Sequence, residues 1–192
     1  MSRTTWIGID FGSKTAGTSA ICFERANGLH IIQSEKGKDA DAFILNWVEV
    51  SATSRVFIDA PLSLPKVYVH NEGTDYFYRE CDRELGAMSP MFLGGLTARA
   101  MKLKAKLQAT DIEVLETYPA ALIRAFSLQS HYKKDLPSFL TVLHATFKIP
   151  HFSQQPTNWH QADAALAWIS GHRFLQQNAT SIGHTDEGII II

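Results

Sequence analysis

Trp6-Ile-Gly-Ile-Asp10 is a short apolar run stopped by Phe11-Gly12-Ser13, and Thr18-Ser-Ala-Ile-Cys-Phe23 follows it as a second β-rich run. Two such runs across a glycine-bearing turn read as a hairpin. Gly28-Leu-His-Ile-Ile-Gln33 supplies a third strand after the Asn27-Gly28 turn signal, so the chain opens as an antiparallel meander. Asp39 to Val50 carries Phe43, Ile44, Trp47 and Val48 at helical spacing and leads into the strand Arg55-Val-Phe-Ile-Asp59. A meander followed by a helix and a further strand predicts a mixed α/β sheet.

Residues 60–75 hold Pro61, Pro65 and Asn71-Glu-Gly73 and read as a long loop, which ends before a helix near Phe77 to Leu85. Long loops beside strand ends often carry function. Leu96 to Ala109 is a basic amphipathic helix feeding the strand Ile112-Glu-Val-Leu-Glu116, and Pro119 opens a helix through Phe126. Residues 138–148 and 159–177 are further helices. Gly188-Ile-Ile-Ile-Ile192 closes the chain as a strand that needs a buried or paired place, because a naked apolar edge aggregates.

The chain has 192 residues, 45% of them hydrophobic, enough for one sizeable core, and we read 1–192 as a single domain. Lys and Arg number 18 against 19 Asp and Glu, so no global positive field marks a polyanion binder, and any nucleic acid is held locally. Cys22 and Cys81 are too few and too differently placed for a disulfide scaffold and suit a reducing compartment. The first residues lack the pattern of a signal peptide, and no apolar run approaches a membrane span. The expectation is a cytoplasmic protein with no membrane partner. Nothing in the sequence decides between a monomer and a homodimer.

Strands that alternate with helices line up their carboxyl ends on one rim, where ligand crevices form. Asp10, Asp59 and Glu116 each close such a strand. Singly, each is a turn residue or a helix N-cap. Together they put three acids on one rim. Asp163 is the least ordinary acid, because Ala162, Ala164, Ala165, Leu166, Ala167, Trp168 and Ile169 surround it with a helix apolar on nearly every side. Such a helix is buried, and a carboxylate inside it needs a partner, a proton or a metal. His160, Asp163 and Ala167 share one helical face. Gathered carboxylates raise one another's pKa, and an oxygen-only ligand set suits Mg²⁺ or Mn²⁺.

Ile7-Gly-Ile-Asp10 running into a hairpin, Phe57-Ile-Asp-Ala-Pro61, Arg79-Glu-Cys-Asp-Arg83, Glu116-Thr-Tyr-Pro119 and Asp163-Ala-Ala-Leu-Ala167 together resemble a family of predicted nucleases with the RNase H-like fold. The resemblance runs over nearly the whole chain. It implies a mixed five-stranded sheet, its first three strands antiparallel and helices on both faces. It also implies an acid on the first strand, one on the fourth, one near the next strand and one on the last helix. Asp10, Asp59, Glu116 and Asp163 stand in those places, in that order, as the implied metal ligands and catalytic residues. His160-Gln-Ala-Asp163 is similar to the closing helix of RuvC-type resolvases, in some of which a histidine stands one turn before the final aspartate. His160 is then a catalytic candidate that positions water or steadies the leaving group.

The chemistry implied is hydrolysis of nucleic-acid phosphodiester bonds. Two cations about 3.5–4 Å apart clamp the attacking and leaving oxygens, and no protein nucleophile is needed. Asp10 is the candidate to bridge them. For the substrate backbone, Arg79 and Arg83 share a face four residues apart, and Arg99 and Lys102 begin a basic stripe on the helix that follows. Two other readings stay open. Gly8-Ile-Asp-Phe-Gly-Ser-Lys-Thr15 also resembles the phosphate-binding hairpin of the sugar-kinase, heat-shock-protein and actin group, which implies ATP. A non-catalytic nucleic-acid-binding module would use the same rim.

Overall fold

A computed structural model describes residues 6–192, and the reading of the segment before Trp6 as free of a signal peptide lies outside them. In chain order the elements are β1 Trp6–Asp10, β2 Ala20–Arg25, β3 Gly28–Gln33, α1 Ala40–Ser51, β4 Arg55–Asp59, α2 Lys66–Val69, α3 Glu80–Leu85 and α4 Pro90–Leu93. They continue as α5 Gly95–Gln108, β5 Glu113–Thr117, α6 Pro119–Ala125, α7 Leu136–Phe147, α8 Trp159–Leu175, β6 Ser181–His184 and β7 Gly188–Ile191.

The strands form one sheet in the order β3-β2-β1-β4-β5-β7-β6. The first three are antiparallel, and β1, β4, β5 and β7 run parallel. The expected five strands are therefore corrected to seven. The closing isoleucine run joins β5 through Glu116↔Ile190 and Thr117↔Ile191, and β6 then covers its outer edge. That addition answers the edge problem. β6 is short, Ser181-Ile-Gly-His184, with a glycine at φ +106°, so it shows little β pattern in the sequence.

Period-2 alternation sends successive strand side chains to opposite faces. Ile7, Ile9, Ile21, Phe23, Val56 and Ile58 meet α1 and α5 through Ile44, Val48, Ala100 and Leu103. Ala20, Cys22 and Leu29 meet α6, α7 and α8 on the other face, around Leu122, Phe139 and Trp168. Helices thus cover both faces. Both cysteines are buried free thiols, and burial pushes each thiol above its ordinary range. No helix among the described residues is long and apolar enough to cross a membrane.

Helix α8 lies unusually close to the sheet. A Cβ on Gly8 would stand 2.1 Å from the Trp168 backbone nitrogen and 2.5 Å from the Ala164 carbonyl oxygen. On the helix side, a Cβ on Gly171 would stand 2.4 Å from the Phe57 ring. Backbone cannot give way as a side-chain tip can, so Gly8→Ala must push α8 off β1. We expect a loss of at least about 1–3 kcal/mol by urea denaturation, the usual cost of overpacking. An unchanged midpoint would mean that the helix does not sit on β1 as described.

Candidate functional site

Asp10 and Asp59 end adjacent parallel strands and are direct register partners, so their side chains leave the same face of the sheet. It is the face that carries Gly8, and the close approach there brings α8 across both strand ends. Asp163 enters from that helix. Asn158 caps α8 by accepting from the Gln161 backbone N–H at 3.1 Å, so Asp163 is not the cap of its helix. Three of the four expected acids converge, each from its own element.

Around them stand few positive groups. His160 Nδ1 lies 2.8 Å from an Asp10 oxygen. The Tyr132 hydroxyl donates to Asp163 Oδ1 at 2.6 Å, and Lys133 Nζ stands 3.4 Å from Asp163 Oδ2. Asp59 has no side-chain hydrogen bond among the described residues. Loss of water pushes Asp59 well above the usual carboxylate range, and the Asp10 and Asp163 charges push it further. Burial likewise raises Asp10, against the pull of His160, and raises Asp163 to about 6, against the pull of Tyr132 and Lys133. The hydrogen bond to Asp10 raises His160, and burial keeps Tyr132 a donor by raising its hydroxyl. One lysine and one histidine face three carboxylates. The cluster is short of positive charge.

Tyr132 and Lys133 escaped the sequence reading because they sit in the segment between α6 and α7, outside any periodic pattern. A Tyr-Lys pair in a loop carries no signal of its own. Only the fold brings it to Asp163.

Glu116 does not join the three. Its register partner on β4 is Ile58, whose side chain belongs to the α1 and α5 face, so Glu116 leaves the sheet opposite to Asp59. There it meets Arg79. The guanidinium donates to both Glu116 oxygens, at 2.7 and 2.6 Å, and to both Asp82 oxygens, at 2.9 and 2.7 Å, with a further bond to Ser63 Oγ at 2.8 Å. The Leu62 backbone N–H adds a bond to Glu116 at 2.8 Å. Burial pulls Arg79 down, but its two carboxylates more than reverse this, so it stays charged. Arg79 is 0% exposed with every donor direction filled, which corrects its expected role as a phosphate contact. Glu187 completes this hub from the C-terminal hairpin by accepting from the Lys66 and Glu80 backbone N–H groups.

The other basic candidates stand apart from the acids. Arg83 pairs with Asp75 at 2.7 Å, lies over the Tyr78 ring and remains exposed. Arg99 pairs with Asp41 at 2.6 Å and donates to the Gly12 carbonyl at 3.1 Å, which ties α5 to α1 and to the turn after β1. Lys102 lines a groove with Arg99, Lys14 and Lys106, where Asp39 and Asp41 offset part of the charge.

The donor chemistry of Asp10, Asp59 and Asp163 fits a hard divalent cation: three carboxylates, an unbonded Asp59, and an excess of negative charge. In their present positions, no group of three or more His, Cys, Asp or Glu side chains among the described residues is placed to hold a metal ion. Asp163 spends both oxygens on Tyr132 and Lys133, and Asp10 spends one on His160. The three acids are neighbours, and two of them are engaged by the protein's own groups.

Fold and site together define an α/β protein with a carboxylate cluster where β1, β4 and α8 meet. No family model matches the chain, and no curated protein matches it. Among solved structures it is similar to the Thermus thermophilus RuvC structure, with a TM-score of 0.49 and 14% identity, over 90% of this chain and 96% of that one.

Two outcomes follow from the geometry. Arg79→Ala leaves Asp82 and Glu116 buried without their cation and should cost about 3–5 kcal/mol in chemical denaturation. A near-neutral result would mean that the hub is not closed in solution. The second concerns pH. Asp163 titrates at about 6 when folded against 3.8 ordinarily, and Asp10 and Asp59 are raised too. Their raised values favour folding fully below about pH 4, and that contribution is lost as the pH rises through the folded values. In EDTA at neutral pH, Asp59→Asn should therefore melt higher than the parent, by about 2–4 °C per kcal/mol relieved. The difference should vanish in acid. Asp59→Asn melting lower at neutral pH would sink the charge-excess account.

Proposed function

We propose that this protein is a divalent-metal-dependent nuclease of RNase H-like fold that hydrolyses phosphodiester bonds in nucleic acid. The observation that carries the reading is the convergence of Asp10, Asp59 and Asp163, raised together and undercompensated, at the meeting of β1, β4 and α8. The three aspartates would hold Mg²⁺ or Mn²⁺, two ions in the expected mechanism. Such ions, when bound, supply Lewis acidity to the attacking and leaving oxygens. Glu116 has no part in holding them, because Arg79 and Leu62 occupy its oxygens.

The chain's own groups do the positioning. Tyr132 fixes one oxygen of Asp163, which orients the carboxylate toward β1 and β4. His160 bonds Asp10 through Nδ1 and leaves Nε2 without a partner among the described residues, where it holds or releases a proton beside the cluster. Lys133 is exposed and near the cluster, so its ammonium offers charge to an incoming phosphate. Exposed Arg83 and the Lys14, Lys102 and Lys106 groove offer outer contacts to the backbone.

Single-stranded, duplex and branched DNA and RNA incubated with Mg²⁺ or Mn²⁺ should be cut, and EDTA should stop the cutting. Calorimetry should show Asp10→Asn losing cation affinity, and His160→Ala should slow cleavage about 10–100-fold, as expected for a group that orients a ligand. Equal cation affinity in the parent and Asp10→Asn would remove the metal site and the nuclease reading with it.

A further inference from the structure

Lys133 engages one of the oxygens assigned above to the cation. Its Nζ stands 3.4 Å from Asp163 Oδ2, while the Tyr132 hydroxyl occupies Oδ1 at 2.6 Å. These two partners are held very differently. The Tyr132 ring packs against Phe139 of α7 and Trp159 of α8, with centroids 5.5 and 5.6 Å away, so the aromatic core fixes its hydroxyl. The Lys133 side chain is 57% exposed on a flexible stem, and its Nζ lies 5.0 Å from the Tyr132 ring centroid. An exposed ammonium–carboxylate pair adds little stability, because water solvates its charges well and holding two side chains together costs entropy. Arg79 is the contrast, buried and bonded to four carboxylate oxygens. A change of partner is easy for Lys133 and costly for Arg79. Lys133 also sits at φ +58°, a left-handed conformation that a lysine rarely adopts and that costs free energy. That conformation accompanies two consecutive side chains reaching the same carboxylate. The lysine's charge opposes the burial that raises Asp10, Asp59 and Asp163, so it bears on all three acids.

From this geometry we infer that Lys133 exchanges partners: it holds Asp163 Oδ2 while no substrate is bound, and its ammonium moves to a phosphate oxygen of the arriving substrate, leaving Oδ2 to the cation. The inference rests on the nuclease reading and adds a coupling to it. Cation and phosphate each favour the state in which Lys133 has left Asp163, so each tightens the binding of the other by the same factor. In the absence of a phosphate the lysine competes with the cation, and the site stays weakly loaded. The acceptor is an anionic oxygen, because a compact ammonium leaving a carboxylate is best repaid by another negative oxygen. Tyr132 keeps its hold on Oδ1 throughout, so Asp163 changes one partner without losing its orientation.

Calorimetry with Mn²⁺ and thymidine monophosphate, which carries a phosphate and no phosphodiester bond to cut, reads the coupling directly. In the parent protein the nucleotide should tighten Mn²⁺ binding severalfold, and thymidine without its phosphate should not. Lys133→Met should bind Mn²⁺ alone about two- to fivefold more tightly than the parent, the range that exposed pairs span. The further gain from the nucleotide should shrink in that variant. Lys134→Met removes the same charge from the exposed neighbouring residue and should behave as the parent does. The inference is overturned if Lys133→Met binds Mn²⁺ no more tightly than the parent, if the nucleotide's gain is undiminished in it, if Lys134→Met matches it, or if thymidine alone couples as well. Each of those results leaves the cation site standing. Failure of Mn²⁺ to bind the parent protein at all would instead remove the nuclease reading, and this inference with it.

Discussion

The placement of Asp163 depends on one close contact, where the backbone of α8 rests on Gly8 with no room for a side chain between them. β1 is the centre of the sheet's parallel and antiparallel halves, so a helix seated on it reaches the ends of both β1 and β4. The alanine-rich stretch from Ala162 to Ala167 permits the approach, and Gly171 against Phe57 extends it along the helix. Dense packing of this kind is hardly compressible and passes strain to its neighbours. A carboxylate on that helix is therefore fixed relative to two others that register alone has already paired.

Two acidic groupings in this chain are balanced in opposite ways. On the α1 and α5 face, Asp82 and Glu116 share one guanidinium, every oxygen of the pair bonded, and the hub ties the end of β5 to α3 and to the loop after β4. Buried charge there is satisfied within the protein. On the α8 face, Asp10, Asp59 and Asp163 have a histidine, a tyrosine and one exposed lysine. Charge there is left for something else to complete. The contrast separates a closed ion-pair hub from an undercompensated carboxylate cluster more sharply than acid count does, and strongly perturbed carboxylates in a cleft are candidates for a site.

Much of this was legible in the sequence. The hairpin, the third strand after Asn27-Gly28, the strand ending at Asp59 and the buried acid in α8 all follow from local pattern, and the first three acids named by the motifs include two that meet. What local pattern does not carry is the side of the sheet. Glu116 and Asp59 both end strands, yet a one-residue offset in register, Ile58 opposite Glu116, sends them to opposite faces. The same offset hides the role of Arg79, whose spacing with Arg83 suits a phosphate grip and whose burial forbids it. Tyr132 and Lys133 have no periodic or motif signature, and β6 is too polar and too short to stand out. These are tertiary facts.

The account turns on Asp10, Asp59 and Asp163 forming the cation site while Glu116 does not. Diffraction from crystals soaked in Mn²⁺, recorded where manganese scatters anomalously, addresses both halves at once. The account predicts anomalous density among the three aspartates, with Lys133 drawn away from Asp163 and the Arg79 hub unchanged. Density beside Glu116 with Arg79 displaced, or none at the three aspartates at saturating Mn²⁺, would contradict it.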